Sequence, residues 1–417
     1  MQLRRRFELW RPPAVAASPA APRWARIGVP LLALGALYSA PSHTAVLPED
    51  ELDYSASRYD GGGQVIDGKT WLVRKKVGDK VSIQYTHLTD VVSGASIDVQ
   101  LSASPYIEQR TQDSGSIQYL YGKSTFTAGY THSYEPDYRS DTASFSISED
   151  LFGDLTTVTM SYRRTWNDVY KMLKESNGDK IHDPAFGKQD MDESSYGIGL
   201  TQILTRNSIL AANFEVITDQ GWLSNPYREV AYLDPTAGKG FSLEPETDPS
   251  TRTSNALGLD YKYYLPYRAA LDVQYRYFSD TWGIRAHTAQ LGYTQPWHHF
   301  IFDGTFRYYT QTQADFYANV FQYPNEQNFM SRNRELSTYD SYSIGAGASY
   351  EFTLPKAKWI EWIQKSTANI HYDHMTIDYK NFRNALLVDP ANGVTIENAP
   401  LYSVNYNIFQ IFFQIFF

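Results

Sequence analysis

The residues able to do chemistry in this 417-residue chain are scattered rather than clustered. His371 and His374 form His-x-x-His, which on a helix would offer two imidazoles to one metal ion. On a strand, positions three apart face opposite ways, so only a bulge between Tyr372 and Met375 would let them share an ion. His298 and His299 diverge for the same reason, and beside Trp297 they read as part of an interfacial belt. No Gly-x-Ser-x-Gly segment singles out a nucleophile. The acidic stretch holding Asp168, Glu175, Asp179, Asp183, Asp190, Asp192 and Glu193 lacks the Asp-x-Asp-x-Asp-Gly spacing of a calcium loop. Cysteine is absent. That removes disulfides, thiolate nucleophiles, cysteine-held zinc, covalent c-type haem and a lipid anchor on cysteine. No catalytic residue, metal site or cofactor is expected, and the chain is read as not an enzyme.

What remains is a set of charges of both signs on one side of alternating segments: Arg163, Glu215, Asp260, Lys262, Asp272, Arg276, Asp303, Arg307 and Glu351. On the wet side of a barrel they would line a pore that selects solutes by charge and hydrogen bonding. The alternative is a network of internal ion pairs that fills a narrow barrel without flow. Both readings require the same scaffold.

That scaffold is written in a period of two. Leu257, Leu259, Tyr261, Tyr263 and Leu265 share one face, against Gly258, Asp260 and Lys262. Leu271, Val273, Tyr275 and Tyr277 oppose Asp272, Gln274 and Arg276, and Phe300, Phe302, Phe306 and Tyr308 oppose Asp303, Thr305 and Arg307. The same rhythm runs through 210–217 and 344–352. Such strands reach ten residues or more, near the 9–11 that a tilted membrane strand needs. Short turns at Gly78-Asp79, Gly122-Lys123, 151–154, 205–207, Leu265-Pro266 and Pro296-Trp297 alternate with long polar loops near 91–110, 167–192, 220–252, 312–336 and 381–400. That is the layout of an antiparallel up-and-down transmembrane barrel with short periplasmic turns and long extracellular loops. One longer connection, 354–366, carries Trp359, Ile360, Trp362 and Ile363 as an amphipathic turn for the inner interface.

The C-terminus states the pattern most sharply. Phe409, Ile411, Phe413, Ile415 and Phe417 share a face, with Gln410 and Gln414 on the other. In water such a strand would aggregate; a closed barrel turns its apolar face to lipid. Its terminal Phe resembles the signal by which the barrel-assembly machinery recognises its clients, which makes that machinery an expected partner. Fourteen strands are expected between about Lys80 and Phe417. The segment 69–77 would make fifteen, and an even number is required for both ends to lie on one side. Sixteen is the alternative, should a strand near Gly62–Ile66 also join the wall.

The first 45 residues read as an export signal: Arg4, Arg5, Arg6, Arg11, Arg23 and Arg26 precede an apolar Ile27–Leu37 run, with cleavage near Ala45. Losing six Arg and Glu8 takes the formal net charge from −9 to −14. An acidic chain of this kind is a poor partner for nucleic acid. The organisation expected is a signal at 1–45, an N-terminal periplasmic segment, first strand or plug at 46–79, and the barrel at 80–417. Aromatic residues are abundant, with 33 Tyr, 21 Phe and 9 Trp, which suits interfacial girdles.

Several stretches resemble the DUF3570 family of bacterial outer-membrane proteins of unknown function. They include SGASIDVQLSASPYIEQR (93–110), FGDLTTVTMSYRR (152–164), ITDQGWLSNPYREV (217–230), YRYFSDTWGIRAHTAQLGY (275–293) and RELSTYDSYSIGAGASYEF (334–352). The resemblance implies a barrel in the outer membrane and carries no assigned residues. The leading expectation is a channel or transport protein for small polar solutes or ions, in contact with outer-membrane lipid and lipopolysaccharide. The alternatives are a scaffold or secretion partner for another exported protein, redox proteins included, and a surface lipase or protease.

Overall fold

Strands with one apolar and one polar face have two ways to hide the apolar one: pack it inward against a second sheet, or roll up with it outward against lipid. This chain rolls up. The computed structural model describes residues 46–94, 106–174, 180–353 and 363–417. The export signal expected at 1–45, and the turn expected at 354–366 with Trp359, Ile360 and Trp362, lie outside the described residues, save for the last residues of that turn.

The first half of the wall holds β1 (Glu51–Gly61), β2 (Gln64–Val77), β3 (Val81–Gly94), β4 (Tyr106–Tyr121), β5 (Ser124–Glu135), β6 (Tyr138–Leu151) and β7 (Thr156–Val169). A loop hairpin of β8 (Met172–Lys174) and β9 (Lys180–His182) follows, then wall strands β10 (Gln189–Thr205) and β11 (Ser208–Gly221). A second loop hairpin, β12 (Glu229–Leu233) and β13 (Phe241–Pro245), precedes β14 (Thr251–Tyr264), β15 (Ala270–Asp280), β16 (Arg285–Trp297) and β17 (Phe300–Gln311). The wall ends with β18 (Tyr339–Phe352), β19 (Lys365–Arg383) and β20 (Leu401–Phe416). Each wall strand pairs antiparallel with its neighbours, and β1 pairs with β20, Glu51 opposite Phe416, so the sheet closes without an edge.

The wall has sixteen strands, the larger of the two expected counts and not fourteen. The segment 46–79 supplies the two additional ones. Gly62 and Gly63 join them in a two-residue turn with φ of 61° and 81°, the left-handed pair that a tight hairpin demands.

Faces follow the period. On β20, Phe409 and Phe413 are 43% and 46% exposed, whereas Gln410 is 8% exposed. Around the wall the outward set includes Trp71, Ile117, Phe145, Met160, Ile198, Phe214, Leu291, Phe306 and Ile344, all exposed. The inward set includes buried Thr86, Gln112, Thr142, Asp260, Asp272, Thr294 and Asp373. This inverts the polarity of a water-soluble protein and presents a greasy belt.

The two ends differ. At one, the described connections are short turns at 78–80, 122–123, 152–155, 206–207, 265–269 and 298–299. The last falls two residues after the expected Pro296-Trp297, because Pro296 and Trp297 still pair with Ile301 and Phe300, and His298 makes the turn with a φ of 55°. The other end carries the loops 222–250, 312–338 and 384–400.

Candidate functional site

All nine charges singled out in the sequence occupy inward register positions, but they fall into separate groups. Lys262 on β14 lies directly opposite Asp272 on β15, and two residues from Asp260 on its own strand. Its Nζ stands 2.9 Å from Asp272 Oδ2 and 3.6 Å from Asp260 Oδ2. Arg163 Nη2 lies 3.3 Å from Glu193 and 3.9 Å from Glu215, whose Oε1 accepts a 2.6 Å hydrogen bond from the Ser195 hydroxyl. Glu351 pairs with Lys365 at 2.6 Å. Asp303 meets His371 Nδ1 at 3.2 Å, and Asp373 meets His371 Nε2 at 3.1 Å. Two glycines make room for this carboxylate–imidazole–carboxylate bridge. A Cβ on Gly345 would stand 2.1 Å from Asp373 Oδ1, and one on Gly347 would stand 2.4 Å from Asp303 Oδ1. Arg276 and Arg307 border a small cavity of about 40 Å3 together with Asn213, Asp260, Gln274, Thr288 and Gln290.

The inner wall on β6 and β7 is rich in hydroxyls around Arg163, which lies opposite Ser144. Ser144, Ser148, Thr159 and Ser161 face inward there, with Thr142 Oγ1 3.1 Å from Thr165 Oγ1 and Ser148 Oγ 2.9 Å from Thr159 Oγ1.

Toward the loop end the inner face changes character. Tyr339, Met375, Ile377, Tyr379, Val404 and Tyr406 form a buried apolar cluster on β18–β20. A second cluster joins Tyr138, Val169 and Met191 of β6, β7 and β10 to Trp282, Phe316 and Leu336. Trp282 sits in the β15–β16 connection, and β6 and β16 stand six places apart in the sixteen-strand wall. One apolar cluster thus spans the mouth. Loop residues fold inward to build it: Gln311 on the inner wall donates through Nε2 to the carbonyls of Glu335 and Ser337, both at 2.8 Å. Above this layer the loops bind one another. Phe321 N–H donates to the Ala231 carbonyl at 2.8 Å, and Leu233 N–H to the Phe321 carbonyl at 2.9 Å. Asn319 Nδ2 donates to the Ile396 carbonyl at 2.9 Å, and Arg332 donates to the carbonyls of Asn319 and Arg383. Val230, Phe321 and Met330 form the centre of this cap, at 0%, 2% and 4% exposure.

The cap also reaches the turn between β5 and β6. The Tyr227 hydroxyl accepts from the Met172 N–H at 2.8 Å and donates to the Asp137 carboxylate. Burial pushes the Asp137 carboxyl up to about 6, against the pull of that hydroxyl.

On the wall, His87, His132, His287 and His374 face outward. The register of β18, β19 and β20 runs unbroken through 371–375, so the bulge that a shared ion would need is absent there and His371 and His374 point to opposite faces. His374 Nδ1 lies 3.0 Å from Asn407 Oδ1, which also accepts from the Tyr372 hydroxyl at 2.8 Å. The same Tyr-x-His clamp recurs twice. Tyr85 and His87 hold Asp113 at 2.5 and 2.8 Å, and Tyr130 and His132 hold Asp141 at 2.6 and 2.8 Å. His298 stacks on Trp297, as a belt residue does. Among the described residues, no group of three His, Asp or Glu side chains suits a metal ion.

Parity alone assigned the nine inward charges, but not their partners. Glu193 lies 30 residues from Arg163, and no local spacing signals the pairing. His371 and Asp373 are legible as lumen residues by the same parity, since Ile370 and Tyr372 beside them are exposed outside.

An apolar-out, polar-in closed sheet of sixteen antiparallel strands defines the fold of an outer-membrane β-barrel. The chain belongs to the family described as "Protein of unknown function (DUF3570)", which matches residues 97–362. Several solved structures are similar in course. A bacterial polysaccharide outer membrane secretin is 10% identical with a TM-score of 0.45, over 88% of this chain and 98% of that one. OmpT of Vibrio cholerae is 11% identical with a TM-score of 0.40, over 88% and 98%. The siderophore receptor PirA of Acinetobacter baumannii is 11% identical with a TM-score of 0.40, over 87% of this chain and 59% of that one. No curated protein matches the sequence.

Proposed function

We propose that this protein is a capped channel of the outer membrane, passing small polar solutes or ions, with its short turns in the periplasm and its loops at the cell surface. The observation that carries the reading is the division of the lumen along its axis. A wall of sixteen strands is wide enough for an aqueous channel, and its middle is lined with Ser, Thr, Gln and paired charges. At the loop end, Trp282, Phe316 and Leu336 close the mouth. A barrel whose only task was anchorage would have no need of a polar interior beneath an apolar lid. The 1–45 signal and the apolar belt support export and membrane residence. The outward Tyr-x-His clamps suit the headgroup level, where lipopolysaccharide is the expected neighbour.

Planar-bilayer recording tests this. The intact barrel should give small, intermittent currents, and a variant with 313–337 replaced by a short Gly-Ser link should give steady nanosiemens-scale steps. Silence from both retires the channel.

A further inference from the structure

The outer wall carries an arrangement that a channel does not use. His87 and Thr89 stand two residues apart on β3, so both side chains share its outward face. His87 lies directly opposite Asp113 on β4, and Thr89 directly opposite Lys69 on β2. His87 Nδ1 is 2.8 Å from Asp113 Oδ1, and the Tyr85 hydroxyl donates to the same oxygen at 2.5 Å. An ionised carboxylate only accepts, so Nδ1 carries the proton and Nε2 keeps its lone pair. Nε2 in turn lies 3.3 Å from Thr89 Oγ1. Hydroxyl, imidazole and carboxylate thus stand in sequence, the order in which a base activates a nucleophile and an acid orients the base. Lys69, exposed on the same face, can meet negative charge that develops on a carbonyl oxygen beside Thr89.

The two other clamps show what is particular to β3. His132 and Asp141 repeat the imidazole and carboxylate at 2.8 Å, but Tyr134 stands where a Thr would be needed. On β19 the His-x-Thr spacing recurs at His374 and Thr376, but the Thr376 hydroxyl donates to Asn405 at 2.7 Å. The setting is also specific. Below His87 the outward residues of β3 are Val81, Ile83 and Tyr85, and Trp71, opposite His87 on β2, is 50% exposed. At about 3.4 Å per residue and a tilt near 40°, Thr89 stands about 20 Å above the short turn, against an apolar band about 25 Å tall. With the short turns in the periplasm, that is the level of the acyl esters of outer-leaflet lipids.

We propose that Thr89 and His87, positioned by Asp113, form a catalytic site on the outer wall that hydrolyses a carboxylic acyl ester of a membrane lipid. Thr89 Oγ1 bonds to the ester carbonyl carbon while its proton passes to His87 Nε2, and Lys69 faces the resulting oxyanion. The bond from that carbon to the leaving oxygen then breaks, and the leaving oxygen takes the proton from Nε2. Water repeats the sequence on the acyl-Thr89 ester. It gives a proton to Nε2, its oxygen bonds to the acyl carbon, and the bond to Oγ1 breaks as Oγ1 recovers that proton. A fatty acid and a deacylated lipid leave, and nothing is oxidised or reduced. The site faces lipid rather than the lumen, so it stands apart from the transport reading.

Mass spectrometry of fatty acid released in mixed micelles by the purified full-length barrel tests this, with phosphatidylethanolamine in one arm and lipopolysaccharide in the other. Release from one lipid alone assigns the substrate; release from both assigns membrane acyl esters in general. Thr89→Val and His87→Gln should each lower the rate about a hundredfold or more, whereas Thr89→Ser keeps the hydroxyl and should keep the activity. Asp113→Asn leaves the hydrogen-bonding shape and should lower kcat about tenfold or more with KM unchanged, a split that loosened packing would not give. Thr376→Val, at the matching spacing on β19, should leave the rate as it is. Heat-modifiable gel mobility reports folding, and should Thr89→Val fail to fold, His87→Gln and Thr89→Ser carry the test. No fatty acid from either lipid, or an undiminished rate in a folded Thr89→Val or His87→Gln variant, overturns the site. Release by a barrel silent in bilayers would keep the site and remove only the channel.

Discussion

The two halves of the lumen are built from the same strands and behave as different materials. In the half near the short turns, inward positions are polar, and each identified charge group is balanced within one or two strands, as at Asp260, Lys262 and Asp272. In the half near the loops, inward positions on the same sheet become Tyr339, Ile377 and Tyr379, packed on their wall neighbours, and loop residues join wall residues in a second apolar cluster. The wall does not change, since strand pairing continues through both halves. The difference teaches that the sheet's hydrogen bonds hold the cylinder, while the inward side chains alone decide whether a given level is wet or sealed. A plug can then be loosened without unrolling the barrel.

The largest expected effect is in the seal. Phe321→Ala empties the centre of the cap, and a buried Phe→Ala change costs about 3–5 kcal/mol. Because the cap is separate from the wall, limited trypsin digestion should cut at Lys239 and Arg332 far faster, while the barrel keeps its heat-modifiable mobility. A variant that unfolds throughout would show the two halves to be one cooperative unit. The second effect contrasts the faces of one strand. Ile411→Arg puts a charge in the greasy belt and should cost about 2–4 kcal/mol in lipid-bilayer unfolding titrations. Gln410→Ser, one residue away and inward, should cost far less. Equal losses would mean that the faces are wrongly assigned. A third, smaller effect belongs to the loop end. The Asp137 carboxyl titrates in the folded protein well above the ordinary 3.8 because it is buried. A raised carboxyl favours the folded state at low pH, and that contribution is lost as pH rises through about 6. Loop protection against trypsin should therefore weaken between pH 4 and pH 7, and Asp137→Asn should flatten that dependence. An unchanged profile in the variant would remove Asp137 from the account.

How much of this could be read in advance depended on which contacts were periodic. The last half of β20 was legible, because Phe409, Ile411, Phe413 and Ile415 alternate with a face holding Gln410 and Gln414; toward the loops the sense reverses, with Val404, Tyr406 and Ile408 buried inward. β1 was not: its outward residues Leu52, Tyr54 and Ala56 give way to Arg58 and Asp60, so the apolar rhythm is too short to stand out beside the acids at 49–53. What places β1 in the wall is its pairing with β20, more than 350 residues away. Inward parity of the nine charges was legible for the same reason as β20. Their grouping was not, since register between strands fixes it. The cap was illegible altogether: Val230, Phe321 and Met330 come from two loops with no period in common, and meet only because the wall brings their ends together.

The chain has no cysteine, so a single introduced thiol reports its own surroundings without background. Ser343 lies on the inner face below the cap, opposite Arg307. In cells displaying Ser343→Cys, a membrane-impermeant maleimide added outside should label the thiol slowly, and removal of 313–337 should raise the rate at least tenfold. Rapid labelling of the intact protein would contradict a polar lumen sealed at its loop end.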